Sequence, residues 1–183
     1  MARAGLTPES VLGTAIDVID DEGPHALTLA AVAKRVGVAT PSLYKHVGGL
    51  PELRLLVGIR VLEQLTDRVT TAVIGHSGAE ALRAFMLAYR HYVIEHPHRY
   101  AAMPQHVIDN ADWQAASERL LGVLYALARG SGVTGADAVH LIRGVRATAH
   151  GFATLQAAGA FQLGEDVDES YGGLVDLLAT RLP

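Results

Sequence analysis

The chain has 183 residues, half of them hydrophobic, enough to bury a sizeable core in one domain or in a small domain joined to a larger one. It contains no cysteine, which excludes disulfides, thiol catalysis and zinc–thiolate sites. The formal net charge of −4 disfavours nucleic-acid binding over the whole surface, yet a local basic face on an acidic protein can still meet phosphates.

The opening residues, MARAGLTPES, lack the apolar core and cleavage site of a secretion signal, and no apolar run approaches the roughly 20 residues that cross a bilayer. A soluble protein of the cytoplasm is expected. Thr7-Pro8-Glu9 is a helix start: a capping hydroxyl, a proline at the first turn, then an acid favoured by the helix dipole. Val11, Leu12, Ala15, Ile16, Val18 and Ile19 recur on one face until Gly23-Pro24 ends the element. Asp17, Asp20, Asp21 and Glu22 form an acidic cluster, whereas Gly23 to Leu50 carries Lys34, Arg35 and Lys45 and no acid.

Thr28 opens a second, short helix over residues 29–36, stopped by Gly37, and Pro41 opens a third to about Val47. Gly48-Gly49 and Pro51 precede a long fourth helix to about Ile74. Ser77-Gly-Ala-Glu80, Thr134-Gly-Ala-Asp137 and Asp166-Val-Asp-Glu169 each set an oxygen-bearing cap three residues before an acid, as a capping box does. They introduce helices over about 77–95, 134–158 and 166–181. A proline-led helix is expected at Pro97, and another over about 111–129, ended by Gly130-Ser131-Gly132. β-Branched residues do not alternate with polar ones over any run, so the expected class is all-α, with about nine helices.

Helix, glycine turn, helix over residues 29–47 is the organisation of a helix-turn-helix. Ala33 supplies the small residue where two helices touch, and Gly37 tolerates the positive φ of the turn. Val32, Val36, Val38 and Leu43 are the expected apolar contacts, leaving Thr40, Ser42, Tyr44, Lys45 and His46 for the surface or the helix ends. Short polar side chains on a helix can meet base edges in the major groove, while hydroxyls, tyrosine and lysine bind phosphates. Thr28 could reach a phosphate as its helix crosses the backbone. Helix pairs with a glycine turn also occur in proteins that never meet DNA, and there Thr28 and Thr40 would simply cap helices.

The stretch from Thr28 to Val47 resembles the TetR family of bacterial transcriptional regulators, through Val36-Gly37-Val38, then Leu43-Tyr44, Lys45 and His46. The resemblance implies that the third helix reads the major groove and that Tyr44 and its neighbours touch the phosphate backbone. It implies a DNA-binding set of Thr28, Lys34, Arg35, Thr40, Pro41, Ser42, Tyr44, Lys45 and His46. The chain departs from the family pattern at Ala39, where a capping serine is frequent, so that Thr40 with Pro41 is expected to take over the cap. Val47 replaces a common phenylalanine, and Leu50 a frequent phosphate-binding lysine. Further on, Tyr92–Tyr100 and Arg146–Phe161 resemble the WHG type of C-terminal domain, with Arg146 in place of the tryptophan four residues before His150-Gly151.

The resemblance divides the chain into a helix-turn-helix DNA-binding domain, residues 1–48, and a helical effector-binding and dimerisation domain, residues 49–183. The last two long helices would make the homodimer, with Leu174, Val175, Leu177, Leu178 and Leu182 on or near the seam. A twofold dimer sets two reading helices about one DNA turn (~34 Å) apart and so implies a palindromic operator. A repressor of this kind is released by a small molecule, and the apolar residues of the middle helices point to an apolar or aromatic one. Candidate lining residues are Phe85, Met86, Tyr89, Met103, Trp113, Leu120, Phe152 and Leu155, all of which could equally be core.

Two other classes remain open. Glu22-x-x-His25 and Asp137-x-x-His140 have the i, i+3 spacing of some metal ligands, which would suit a helical metal- or haem-binding enzyme. The first ends in a Gly-Pro-His loop, and His150 beside Gly151 reads as a hydrogen-bonded core histidine. The third class is a helical protein-interaction module. No Gly-rich phosphate loop, nucleophile elbow or HExxH sequence is present, so the expectation is a non-enzyme, with no catalytic residue, metal or cofactor.

Overall fold

The structure, a computed structural model, describes residues 6–106 and 108–182. Among them there are helices and connecting turns and no strand. The α-helices are α1 (Pro8–Glu22), α2 (Leu29–Val36), α3 (Leu50–Val73), α4 (Gly78–Glu95), α5 (Pro97–Ala101), α6 (Ala111–Gly130), α7 (Gly135–Ala157) and α8 (Val167–Ala179). Two 3₁₀ segments, Pro24–Ala26 and Thr40–Lys45, lie between α1 and α3.

Two compact units account for the chain: Met1–Leu62 with His96–Gln114, and Glu63–Glu95 with Ala115–Pro183. In the first, α1 packs against α2 and α5. The capping box that begins α1 is complete, because Thr7 Oγ1 accepts from the Ser10 N–H while Ser10 Oγ accepts from that of Thr7. The six apolar positions expected on its inner face are the six that are buried. Asp20, near the end of α1, accepts hydrogen bonds from the Arg99 guanidinium, and its carbonyl meets His98 Nδ1 at 3.0 Å, so α5 is tied to α1. Gly58 on α3 is a close approach: a Cβ there would stand 2.7 Å from Pro104 Cδ and 3.3 Å from the Trp113 ring. Only glycine lets these segments meet at that distance.

In the second unit α4 packs on α7 and α8. Asp166 caps α8 by accepting from the N–H groups of Asp168 and Glu169. Thr134 stands before α7 in an extended conformation but makes no capping hydrogen bond, contrary to the capping box expected there. Oxygen-bearing spacing is necessary for that motif, and the rotamer still has to aim the oxygen at the helix.

Candidate nucleic-acid interface

Thr28 is extended, and its hydroxyl accepts from the Ala31 N–H at 3.0 Å, which starts α2. The helix ends with Gly37 in the left-handed region, φ 74° and ψ 36°. The Gly37 N–H donates to the Lys34 carbonyl at 3.3 Å and the Val38 N–H to that of Ala33 at 3.0 Å, the paired bonds of a Schellman turn. A residue with a Cβ would be strained at Gly37, so the turn requires this glycine.

The segment after the turn differs from the expected α-helix to Val47. It is a 3₁₀ helix, Thr40–Lys45, closed by Ser42 N–H to Ala39 carbonyl at 2.9 Å and His46 N–H to Leu43 carbonyl at 2.8 Å. The bond from the Val47 N–H to the Leu43 carbonyl, at 3.0 Å, has α spacing. Six residues leave room for few i to i−4 bonds, and Pro41 has no N–H to give. The capping expectation is likewise corrected: Ala39 holds the cap position with no side-chain hydrogen bond, and Thr40 lies within the helix. Leu43 and Val47 are buried with Val32 and Ala33, while Val36 and Val38 are half-buried. Val47 therefore fills a core site, with less volume than the phenylalanine frequent in the family.

That anchoring sends the other side chains outward. Tyr44 is 59% exposed, Lys45, Pro41, Lys34 and Thr28 are exposed, and Thr40, Ser42 and His46 are half-buried. Arg35 is also exposed, but its guanidinium is ion-paired with Asp21 of the acidic cluster. The charge expected of the basic face is thus partly neutralised within the first unit, a contact that the spacing of 14 residues across a glycine turn did not disclose. At the start of α3, the Glu52 carboxylate accepts from the Gly48 N–H. The Glu9 carboxylate, bonded by Arg60 at 2.8 and 3.1 Å, is held below its usual pKa by the hydrogen bond and charge of that arginine.

The eight effector candidates divide between the units. Met103 and Trp113 are buried in the first. In the second, Phe85, Met86 and Tyr89 are buried on α4, Leu120 and Phe152 are half-buried, and Leu155 is 49% exposed. Phe152 lies 4.7 Å from the Phe161 ring and 4.9 Å from that of Tyr171. Tyr171, fully buried, donates its hydroxyl to the Met86 carbonyl at 2.8 Å, and burial pushes its pKa well above the usual tyrosine value.

Sequence reasoning missed Arg90. Its side chain is 4% exposed and lies 4.9 Å from the Tyr171 ring centroid and 5.6 Å from that of Phe152. Its Nε donates to Gln156 at 2.7 Å and its Nη2 to Asp168 at 2.5 Å, tying α4 to α7 and α8. A signal existed: residue 90 is four after Met86, and therefore on the buried face of α4.

The spacings that suggested metal do not assemble a site among the described residues, where no group of three or more His, Asp or Glu could hold an ion. Glu22 ends α1 and is exposed, with His25 in the following 3₁₀ segment. His150 is half-buried on α7, and burial, then the Arg146 charge, lowers its pKa. No helix among the described residues is long and apolar enough to cross a membrane.

Comparison with known proteins matches residues 11–48 to bacterial regulatory proteins of the tetR family, and residues 82–178 to a tetracyclin repressor-like C-terminal domain. An uncharacterized HTH-type transcriptional regulator of Bacillus subtilis is 33% identical over 168 residues, 92% of this chain and 88% of that protein. Among solved structures, a TetR transcriptional regulator from Streptomyces coelicolor aligns with a TM-score of 0.77 at 20% identity, covering 97% of this chain and 98% of that one. A TetR variant from Acinetobacter baumannii in complex with minocycline aligns with a TM-score of 0.71 at 20% identity, covering 96% of each chain.

Proposed function

The chain belongs to the tetR family of bacterial regulatory proteins and is a DNA-binding transcriptional regulator; from that premise we propose that it is a homodimeric repressor released from a palindromic operator by a small apolar or aromatic effector. The observation that carries this reading is the segment Thr40–Lys45, whose Leu43 is buried while Tyr44 and Lys45 project into solvent beyond a Schellman turn. Residues 1–48 form the reading head in this proposal, with Ser42 and His46 toward the base edges and Thr28, Lys34, Thr40, Pro41, Tyr44 and Lys45 toward the phosphate backbone. Arg35 joins them when phosphate outcompetes Asp21. Residues 49–183 carry effector binding and dimerisation.

Support for the dimer comes from α8, which buries Tyr171 and Val175 but leaves Leu174 37% and Leu177 65% exposed. Those leucines, with α7, form the proposed twofold seam. Support for an effector comes from the aromatic and methionine side chains of the second unit and from the minocycline bound by the Acinetobacter relative. The effector acts by binding more tightly to a conformation of low DNA affinity, since equal affinity for both states would shift nothing. In this reading the protein works in the cytoplasm, where its DNA is, and needs no cofactor and no catalytic group.

Selection of bound sequences from random double-stranded DNA tests the proposal. It should return a palindrome whose half-site centres lie about one helical turn apart. Lys45→Ala should weaken binding about equally on all sequences and lower the salt slope by about one. A Tyr44→Ala/Lys45→Ala double variant that keeps wild-type affinity at matched salt would sink the assignment of this segment.

A further inference from the structure

The first unit contains a cleft of about 650 Å³ that none of the residues assigned above lines. Three stretches wall it: the last turn of α1 with the turn after it, the first two turns of α3, and the end of α5 with the residues that follow. Leu27 and Val57 form its buried floor, while Leu55, Pro104 and Ile108 are half-buried and Pro51 is exposed, so this part of the lining offers apolar surface. His25, Arg54 and His106 are exposed members of the same lining, and no carboxylate lines it. The Arg54 guanidinium has no ion pair or hydrogen bond among the described residues, unlike those of Arg35, Arg60, Arg90 and Arg99.

The volume falls within the usual range for small-molecule sites, roughly 300–1,000 Å³. A guanidinium beside apolar surface, with no acid in the lining, selects for an anion that also has apolar surface to bury. A phosphate or sulfate would use the charge and leave the apolar wall uncovered. We propose that this cleft binds a small organic carboxylate with an apolar body, its carboxylate on Arg54 and its apolar part against Leu55, Pro104 and Ile108, and that occupancy changes DNA affinity. The site lies outside the aromatic candidates of the second unit, so it would be an additional ligand site. Coupling follows from chain order. Leu27 precedes the Thr28 cap of α2, and Pro51 follows the Gly48-Gly49 break, so the cleft walls flank both ends of the helix-turn-helix. Only this coupling rests on the regulator reading; binding itself does not.

The test uses the full chain and 4-phenylbutyrate, with 4-phenylbutan-1-ol as its uncharged match. Trp113, the sole tryptophan, sits against Gly58 one residue from Val57 and serves as the fluorescence reporter. Saturable binding of the carboxylate is expected, weakened about tenfold or more by Arg54→Gln or by use of the alcohol. Arg129→Gln, which removes an exposed charge from α6, should bind as wild type. A diazirine derivative of 4-phenylbutyrate should label residues within 19–27, 51–57 or 101–106. Equal binding by Arg54→Gln or by the alcohol, labelling confined to residues 115–182, or no saturation below about 10 mM would overturn the site. Binding without any change in DNA affinity would overturn the coupling alone. Absence of DNA binding by the unliganded wild type would count against the regulator reading and leave the cleft result standing.

Discussion

Arg90 offers the sharpest test of how the second unit is held together. Its guanidinium is almost wholly buried, whereas its partner Asp168 is 81% exposed. An ion pair between two exposed groups contributes about 0–1 kcal/mol, so an Asp168→Ala variant would be nearly silent if exposure of the aspartate alone decided the outcome. The burial of the arginine changes that expectation. Without Asp168 the charge keeps one hydrogen bond to a neutral acceptor, from Nε to Gln156, and its two aromatic neighbours. Removing one partner of a fully buried pair costs roughly 3–5 kcal/mol; here the tip reaches an exposed aspartate and water can enter, so about 1–2.5 kcal/mol is expected. Arg90→Met removes two charge-assisted hydrogen bonds, about 1.5–3 kcal/mol each, and a cation–π contact of up to roughly 2. Against these stands relief of several kcal/mol of desolvation, leaving a net loss of about 1–3 kcal/mol.

The double variant separates the effects. Once Met occupies position 90, loss of Asp168 strands no charge, so the double variant should be less destabilised than the sum of the singles by about 1–2 kcal/mol. Asp168 also lies in the first turn of α8, where a negative charge is favoured by about 0.3–1 kcal/mol. That contribution is lost on Asp168→Ala whether Arg or Met stands at position 90, and so cancels in the cycle. Urea denaturation followed by circular dichroism at one fixed protein concentration supplies the four stabilities, since the proposed dimer would make the midpoint concentration-dependent. Hydrogen exchange at the first turn of α8 should quicken in both single variants. Additivity within about 0.5 kcal/mol would refute the claim that Asp168 stabilises by compensating a buried charge.

Leu174→Glu/Leu177→Glu should give monomers by light scattering while the circular dichroism spectrum stays native. In the proposed seam each leucine would contribute about 1.5–3 kcal/mol and the twofold would double the number, enough to take a nanomolar dimer beyond micromolar. An intact dimer would put α8 outside the interface. Because burial lowers the pKa of His150, the unfolded chain binds its proton first as pH falls through about 6.5. This residue's contribution to stability is therefore present above that pH and is lost progressively below it, toward the lower folded value. Urea midpoints at pH 7.5, 6.5 and 5.5 should fall more steeply for the wild type than for His150→Gln; parallel curves would contradict the sign.

What could be read from the sequence depended on how local the physics was. Thr7, Thr28 and Asp166 each cap through an N–H two or three residues away, and Gly37 answers a single backbone requirement, so a few adjacent residues carry the signal. The inner face of α1 was legible for a related reason, because burial there follows the helical period. Ala39 and Thr134 mark the limit even for local signals. Pattern says that an oxygen is near a helix start, but the rotamer and the register of the first turn decide whether it bonds. The register of a six-residue helix is a close contest between i−3 and i−4 bonds, which residue types scarcely bias.

Contacts between distant residues escaped for a different reason. Asp21 neutralises Arg35 across the Pro24–Ala26 turn, and Asp168 reaches Arg90 from 78 residues away. Neither pairing has a periodicity to betray it. Yet each alters the chemistry of a feature that the sequence did reveal: the first subtracts charge from the face offered to DNA, and the second fixes α8 relative to α4 within the second unit. Arg90 also shows where such contacts can be sought, since a charge on the apolar face of a helix must find compensation somewhere. At position 90 that compensation comes from both of the helices proposed to form the dimer seam. A ligand that displaced Phe152 or Tyr171 from this guanidinium would therefore act on α7 and α8 together, which is the link that effector release of a dimeric repressor requires.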